Sequence, residues 1–189
     1  MTRARTLLLH LSVCLTLLVL DLWTKAAIFR FLGAEVIERP GTTPVLRAER
    51  DHVIFPGFAL EAAINLGAFN GMLSGVPWLL LGMGVVAAIG TLVIALLPPR
   101  MPVTLSVALG MIAGGALGNL YDRVTYGAVR DFVKWYVGDH VWPNFNIADS
   151  GIVVGVSLIL LHEIRLSRRE RAARAGSTPE AGDLEPDES

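Results

Sequence analysis

Four apolar runs of about bilayer length divide the chain: Thr6–Leu22, Val76–Leu97, Val103–Leu120 and Phe145–Ile164. A helix needs about 20 residues to cross the hydrocarbon of a membrane. Lipid offers the backbone no hydrogen-bond partner, so each run must satisfy its own N–H and C=O groups as a helix. Apolar residues make up 53% of the sequence. The fold class expected is an all-α membrane protein of four transmembrane helices, with a small β-containing subdomain on the outer surface. A formal net charge of −1 gives no electrostatic reason to expect nucleic acid.

Arg3 and Arg5 precede the first run in the manner of a secretory signal, but the run is too long for one and no small-x-small cleavage site follows. It reads as an uncleaved helix. Four spans place both termini on one side, together with Arg3, Arg5, Arg100, Arg165, Arg168, Arg169, Arg171 and Arg174. The basic residues tie at eight on each side, so density at the helix ends decides, and the arginines after Ile164 favour cytoplasmic termini. The single cysteine, Cys14, lies within an apolar run and allows no intramolecular disulfide.

The membrane domain covers 1–165. Within it, about 26–75 forms an outer loop, where Pro40, Gly41, Thr42, Thr43 and Pro44 supply turn chemistry. His52–Phe55 and Phe58–Ile64 flank Pro56-Gly57 as strand-like pieces. Residues 166–189 are charged and read as a disordered cytoplasmic tail. Gly110, Gly114 and Gly118, with Gly115 beside them, give the third run a small-residue face for close helix packing.

Polar residues gather at the mouths of the spans. Asp21 and Lys25 are four apart and can pair on one helical face. Asn65 opens the flexible segment N-L-G-A-F-N. Asn119, Asp122 and Arg123 close the third span, and Asp131 lies in the connection beyond it. Asn146 and Asp149, three apart, open the fourth after Pro143. Asp139 reads as a solvated turn residue. Carboxylates so close to lipid are costly and mark function by default. Two adjacent carboxyls cannot both ionise easily, so one keeps a proton and the other serves as a base for water. Asp122, Asp131 and Asp149 are all candidates, and spacing alone does not choose between Asp122 and Asp131. No metal-ligand spacing or convincing Ser/His or Cys/His pair offers another chemistry.

The order of these boxes resembles the lipoprotein signal peptidases (signal peptidase II) over roughly Leu7–Arg165. The boxes are D-L-W-T-K at Asp21–Lys25, G-G-A-L-G-N-L-Y-D-R at Gly114–Arg123, V-R-D-F at Val129–Phe132 and F-N-I-A-D at Phe145–Asp149. The resemblance implies an aspartic endopeptidase of the bacterial inner membrane, with Asp131 and Asp149 catalytic. It places Asp21, Lys25, Asn65, Gly115, Asn119, Asp122, Arg123 and Asn146 in supporting or substrate-binding positions. It implies a diacylglyceryl-prolipoprotein substrate cut before the lipidated cysteine, surrounding membrane lipids, no cofactor or metal, no nucleic acid and a monomer. The active site would lie near the outer face. The chain departs from the family pattern at Phe69, which follows Asn65 by four residues where the family has five. The competing readings are an idle family member acting as a lipid- or lipoprotein-binding scaffold, a presenilin-type protease and a proton-relaying transporter. For the last two, I-A-D replaces G-x-G-D, and the acids cluster at one membrane face.

Overall fold

The computed structural model describes residues 2–37, 42–48, 51–67, 73, 75–98 and 101–176. Four helices among them are long and apolar enough to cross a membrane. They are α1 (Arg3–Phe31), α2 (Pro77–Leu96), α3 (Val103–Tyr126) and α4 (Ile147–Gly176). The helix α3 packs against the other three. Its small residues explain why it can. A Cβ built on Gly114 would lie 2.6 Å from the Cys14 carbonyl oxygen of α1, and one on Gly115 would collide with the Ala148 carbonyl of α4. The outer helices turn large side chains such as Leu8, Leu15, Val86 and Val153 outward, as lipid-facing surfaces do.

Helices α1, α3 and α4 extend beyond the apolar runs. Helix α1 continues through Asp21 and Lys25 to Phe31, because burial beside α3 gives those charges partners that lipid could not. Helix α3 continues past Arg123 into the expected connection and stops at Tyr126. Gly127 then takes a left-handed φ of 67° and closes the last turn on the Arg123 carbonyl. Helix α4 starts at Ile147, two residues into the apolar run that begins at Phe145. It runs past Arg165 to Gly176, where disorder was expected, because the Arg- and Ala-rich stretch has high helix propensity. Residues 177–189, Arg39, Pro40, Gly41, Arg50, Phe69, Asn70 and Arg100 lie outside the described residues.

The segments between α1 and α2 and between α3 and α4 form two antiparallel sheets. Strands β1 (Glu35–Ile37) and β2 (Val45–Arg47) make a hairpin. The second sheet runs β3 (His52–Phe55), β4 (Phe58–Asn65), β5 (Val129–Val137) and β6 (His140–Val141) in that order. The strand-like pieces expected on either side of Pro56-Gly57 are β3 and β4, and they pair antiparallel. Strand β5 is an addition, since the sequence reading placed Asp131 on a connection. Val129, Phe132, Val133, Trp135, Tyr136 and Val137 supply the β-branched and aromatic content of a strand. The β4–β5 register shifts between Leu60 and Ala63, immediately beside Asp131, which faces Ala63. Phe29, Leu32, Ala62 and Phe132 form the core joining this sheet to the end of α1.

Candidate active site

Three elements converge where β5 meets the C-terminal end of α3 and the N-terminal end of α4. The lead-in to α4 is stitched to β5 by a β-bridge. Phe132 and Val133 donate backbone N–H groups to the Phe145 carbonyl at 3.1 and 2.9 Å, and the Phe145 N–H returns one to Val133 at 3.2 Å. This fixes Asp131, two residues before Val133 on β5, relative to the first turn of α4.

Asn146 then starts the helix. Its Oδ1 accepts the Asp149 N–H at 2.9 Å, and Asp149 Oδ2 accepts the Asn146 N–H at 3.2 Å. This reciprocal arrangement has the form of a capping box, with Asn and Asp as its partners. The same Asn146 donates Nδ2 to Asp131 Oδ1 at 2.6 Å and lies 3.2 Å from Asn119 Oδ1. One fully buried residue therefore touches both carboxylates, Asp131 through its side-chain amide and Asp149 through its backbone N–H. Asn119 completes the ring by donating Nδ2 to Asp149 Oδ1 at 2.7 Å.

A buried charge ladder supports this ring. Lys25 Nζ lies 2.7 Å from Asp21 and 3.3 Å from Asp122, and donates to Asn119 Oδ1 at 3.1 Å. That bond turns the oxygen of Asn119 toward Lys25 and its NH2 toward Asp149. Asp21 Oδ1 accepts the Ala148 N–H at 2.8 Å, tying α1 to the first turn of α4. Asp122 accepts from Arg130 at the backbone N–H, Nε and Nη2, the last at 2.8 Å. Asp21, Lys25, Asp122, Asp131 and Asn146 are all nearly or fully shut from solvent.

Burial pushes the Asp131 carboxyl up to about 8, and the neighbouring Asp149 charge pushes the same way. Hydrogen bonds from Asn146 and Asn65 and the Lys25 ammonium pull it back.

All ten sequence-predicted positions are therefore accounted for. Asp21, Lys25, Asn119, Asp122, Asn146, Asp131 and Asp149 form one network, and Asn65 reaches it through Asp131. Arg123 stands on its edge: Nη2 donates to the Gly67 carbonyl at 2.8 Å, while Gly67 N–H donates to Asn65 Oδ1 at 3.0 Å. Arg123 thereby ties the end of β4 to α3. Gly115 sits against Ala148 as a helix-packing position. Asp139 is exposed in the β5–β6 turn, away from the network. Sequence reasoning missed Arg130, which neutralises Asp122 and lies 4.3 Å from the Tyr126 ring centroid. Its signal was a second basic residue beside a candidate acid in V-R-D-F. Among the described residues no group of His, Cys, Asp and Glu is arranged to hold a metal ion.

The comparisons with known proteins agree with one another. Residues 13–165 match the family model described as Signal peptidase (SPase) II. A lipoprotein signal peptidase of Sulfurihydrogenibium sp. (strain YO3AOP1) is 34% identical over 172 residues, covering 87% of this chain and 96% of that protein. The lipoprotein signal peptidase of Aquifex aeolicus (strain VF5) is 37% identical over 162 residues, covering 83% and 86%. A solved bacterial membrane enzyme shares the fold with a TM-score of 0.67 at 22% identity, over 95% of this chain and 93% of its own. A second bacterial membrane enzyme gives a TM-score of 0.63 at 26% identity, over 81% and 90%.

Proposed function

Since the chain belongs to the signal peptidase II family, we propose that it is an aspartic endopeptidase that removes the signal peptide from diacylglyceryl-modified prolipoproteins. It cuts before the lipidated cysteine, with Asp131 and Asp149 as the working pair. The observation that carries this reading is the holding of both carboxylates by one buried residue, Asn146, whose side-chain amide donates to Asp131 and whose backbone N–H donates to Asp149.

The two acids are not equivalent. Asp131 holds its proton up to about 8 because burial and the Asp149 charge disfavour ionisation. Asp149 accepts hydrogen bonds at both oxygens, from Asn119 and from the Asn146 backbone, the role of an ionised carboxylate. Asp149 is thus the base and Asp131 the acid. Asp149 takes a proton from water as its oxygen attacks the scissile carbonyl carbon. Asp131 gives its proton to the carbonyl oxygen, forming a tetrahedral diol. Asp149 then protonates the departing amine as the C–N bond breaks, and Asp131 recovers a proton from a hydroxyl of the collapsing diol.

The enzyme sits in the bacterial inner membrane with both termini cytoplasmic and the pair at the outer face, where water enters and a lipidated substrate arrives laterally. The purified protein should cleave a diacylated prolipoprotein and leave its unlipidated counterpart intact. Binding without cleavage would make it a lipoprotein-binding scaffold instead.

A further inference from the structure

A groove of about 360 Å³ runs between the C-terminal end of α1, β1 and the end of α3. Its volume falls within the ~300–1,000 Å³ of small-ligand sites. Phe29 and Tyr126 line it, and three charged side chains face it: Arg30, Arg130 and Glu35. Arg130 is nine-tenths buried and spends Nε and Nη2 on Asp122, which leaves Nη1 with no hydrogen bond among the described residues. Neither Arg30 nor Glu35 forms an ion pair among the described residues. The groove is therefore lined by two guanidinium groups and one carboxylate, and of the Arg130 guanidinium it is Nη1 that stays without a hydrogen bond among the described residues. Trp23 and Phe31, exposed on the same end of α1, put it at the depth of lipid head groups.

We propose that this groove holds the head group of a phospholipid, and that the head group is phosphoethanolamine. The phosphate sits between Arg30 and Arg130, whose planar forks suit phosphate oxygens. The ammonium pairs with Glu35, which an anionic head group would leave facing a like charge. Phe29 and Tyr126 receive the glycerol carbons, and the acyl chains leave along the lipid side of α1. The bound phosphate also sits beside the guanidinium that holds Asp122, so occupancy braces the strand that carries Asp131.

The test is lipid retention by the full-length protein, read by native mass spectrometry. It uses phosphatidylethanolamine, phosphatidylglycerol and phosphatidylcholine with identical acyl chains at equal concentration. Phosphatidylethanolamine should be retained about tenfold better than phosphatidylcholine, the size of one charge-assisted contact. Arg30→Gln should weaken retention of phosphatidylethanolamine and phosphatidylglycerol alike. Glu35→Gln should abolish the preference for phosphatidylethanolamine over phosphatidylglycerol. Both positions are exposed, so neither substitution threatens the fold. Equal retention of the three lipids, a preference for phosphatidylglycerol in the unsubstituted protein, or retention unchanged by Arg30→Gln would overturn the assignment. The readout needs no turnover, so it stands or falls apart from the peptidase reading.

Discussion

Asn146 and Asp149 cap each other at the start of α4, the amide oxygen of one accepting the N–H of the other and a carboxylate oxygen returning the bond. The cap is the means by which a helix start becomes half of a reactive pair. Asn146→Ala should cost about 1 kcal/mol through the cap and remove the donor to Asp131. Asn146→Ser restores a cap but cannot bridge to Asp131. Thermal unfolding in detergent should place the Ser variant above the Ala variant, while cleavage stays low in both. Recovery of cleavage by Ser would show that the amide bridge has no part in turnover.

Asp131→Asn and Asp149→Asn should each lower cleavage of a lipidated substrate by several orders of magnitude while the protein stays folded. Asp139→Asn, in the exposed β5–β6 turn, should behave as the unsubstituted enzyme. Unfolding curves alongside turnover separate lost chemistry from lost structure. A normal rate in either dyad variant would remove the mechanism.

The spans were legible because lipid leaves the sequence little freedom: α2, predicted at Val76–Leu97, is found at Pro77–Leu96. Where protein rather than lipid surrounds a helix, hydropathy stops reporting. Asp21 and Lys25 looked like the end of α1, yet they lie mid-helix because Asp122, Asn119 and the Ala148 N–H satisfy them. The strand β5 was hidden for a related reason. Its partner β4 is far away in sequence, and period-two alternation fails when both faces are buried near Val129–Phe132. Asn146 and Asp149 were visible as residues three apart, but their mutual capping needs backbone geometry. Arg130 was visible only as a charge beside Asp131. Its bond to Asp122 joins a strand to a helix terminus and follows from no local pattern.

The pH dependence follows from Asp131. Its proton is held to about 8 in the folded protein, whereas the ordinary carboxyl value is 3.8. The native state thus binds a proton that the unfolded chain has already released across that window. Stability is greatest below about 3.8 as far as this group is concerned and declines as pH rises toward 8. Turnover should fall over the same upper limit, because ionised Asp131 cannot protonate the carbonyl oxygen. A rate profile with its alkaline limb near 8 is expected, and the stability of Asp131→Asn should vary less with pH between 4 and 8 than that of the parent.

Gly115 tests whether helix approach sets the site. Any Cβ there collides with the Ala148 carbonyl, one residue before Asp149, whereas a Cβ on Gly82 of α2 meets nothing within 4 Å. Gly115→Ala should push the first turn of α4 off α3, costing about 1–3 kcal/mol and lowering turnover by displacing Asp149. Gly82→Ala should leave both unchanged. Equal behaviour of the two variants in unfolding and cleavage assays would mean that α4 is not held by this contact.

Asp122 accepts three kinds of donor from Arg130 and lies 3.3 Å from Lys25, so its carboxylate neutralises two buried cations at once. Asp122→Asn leaves Arg130 without its counterion and Lys25 with Asp21 alone, and breaking a buried pair in this way costs about 3–5 kcal/mol. Arg130→Met in the same chain removes the stranded charge, so the double variant should be more stable than Asp122→Asn alone. Its turnover should remain reduced, since the clamp between α3 and the strand carrying Asp131 is gone. The alkaline limb near 8 should persist in whatever activity survives, because Asp131 still titrates. A double-mutant cycle on unfolding free energy, run beside the pH–rate profile, separates the two roles. Strict additivity would deny the pairing, and loss of the alkaline limb would make Asp122 rather than Asp131 the acid.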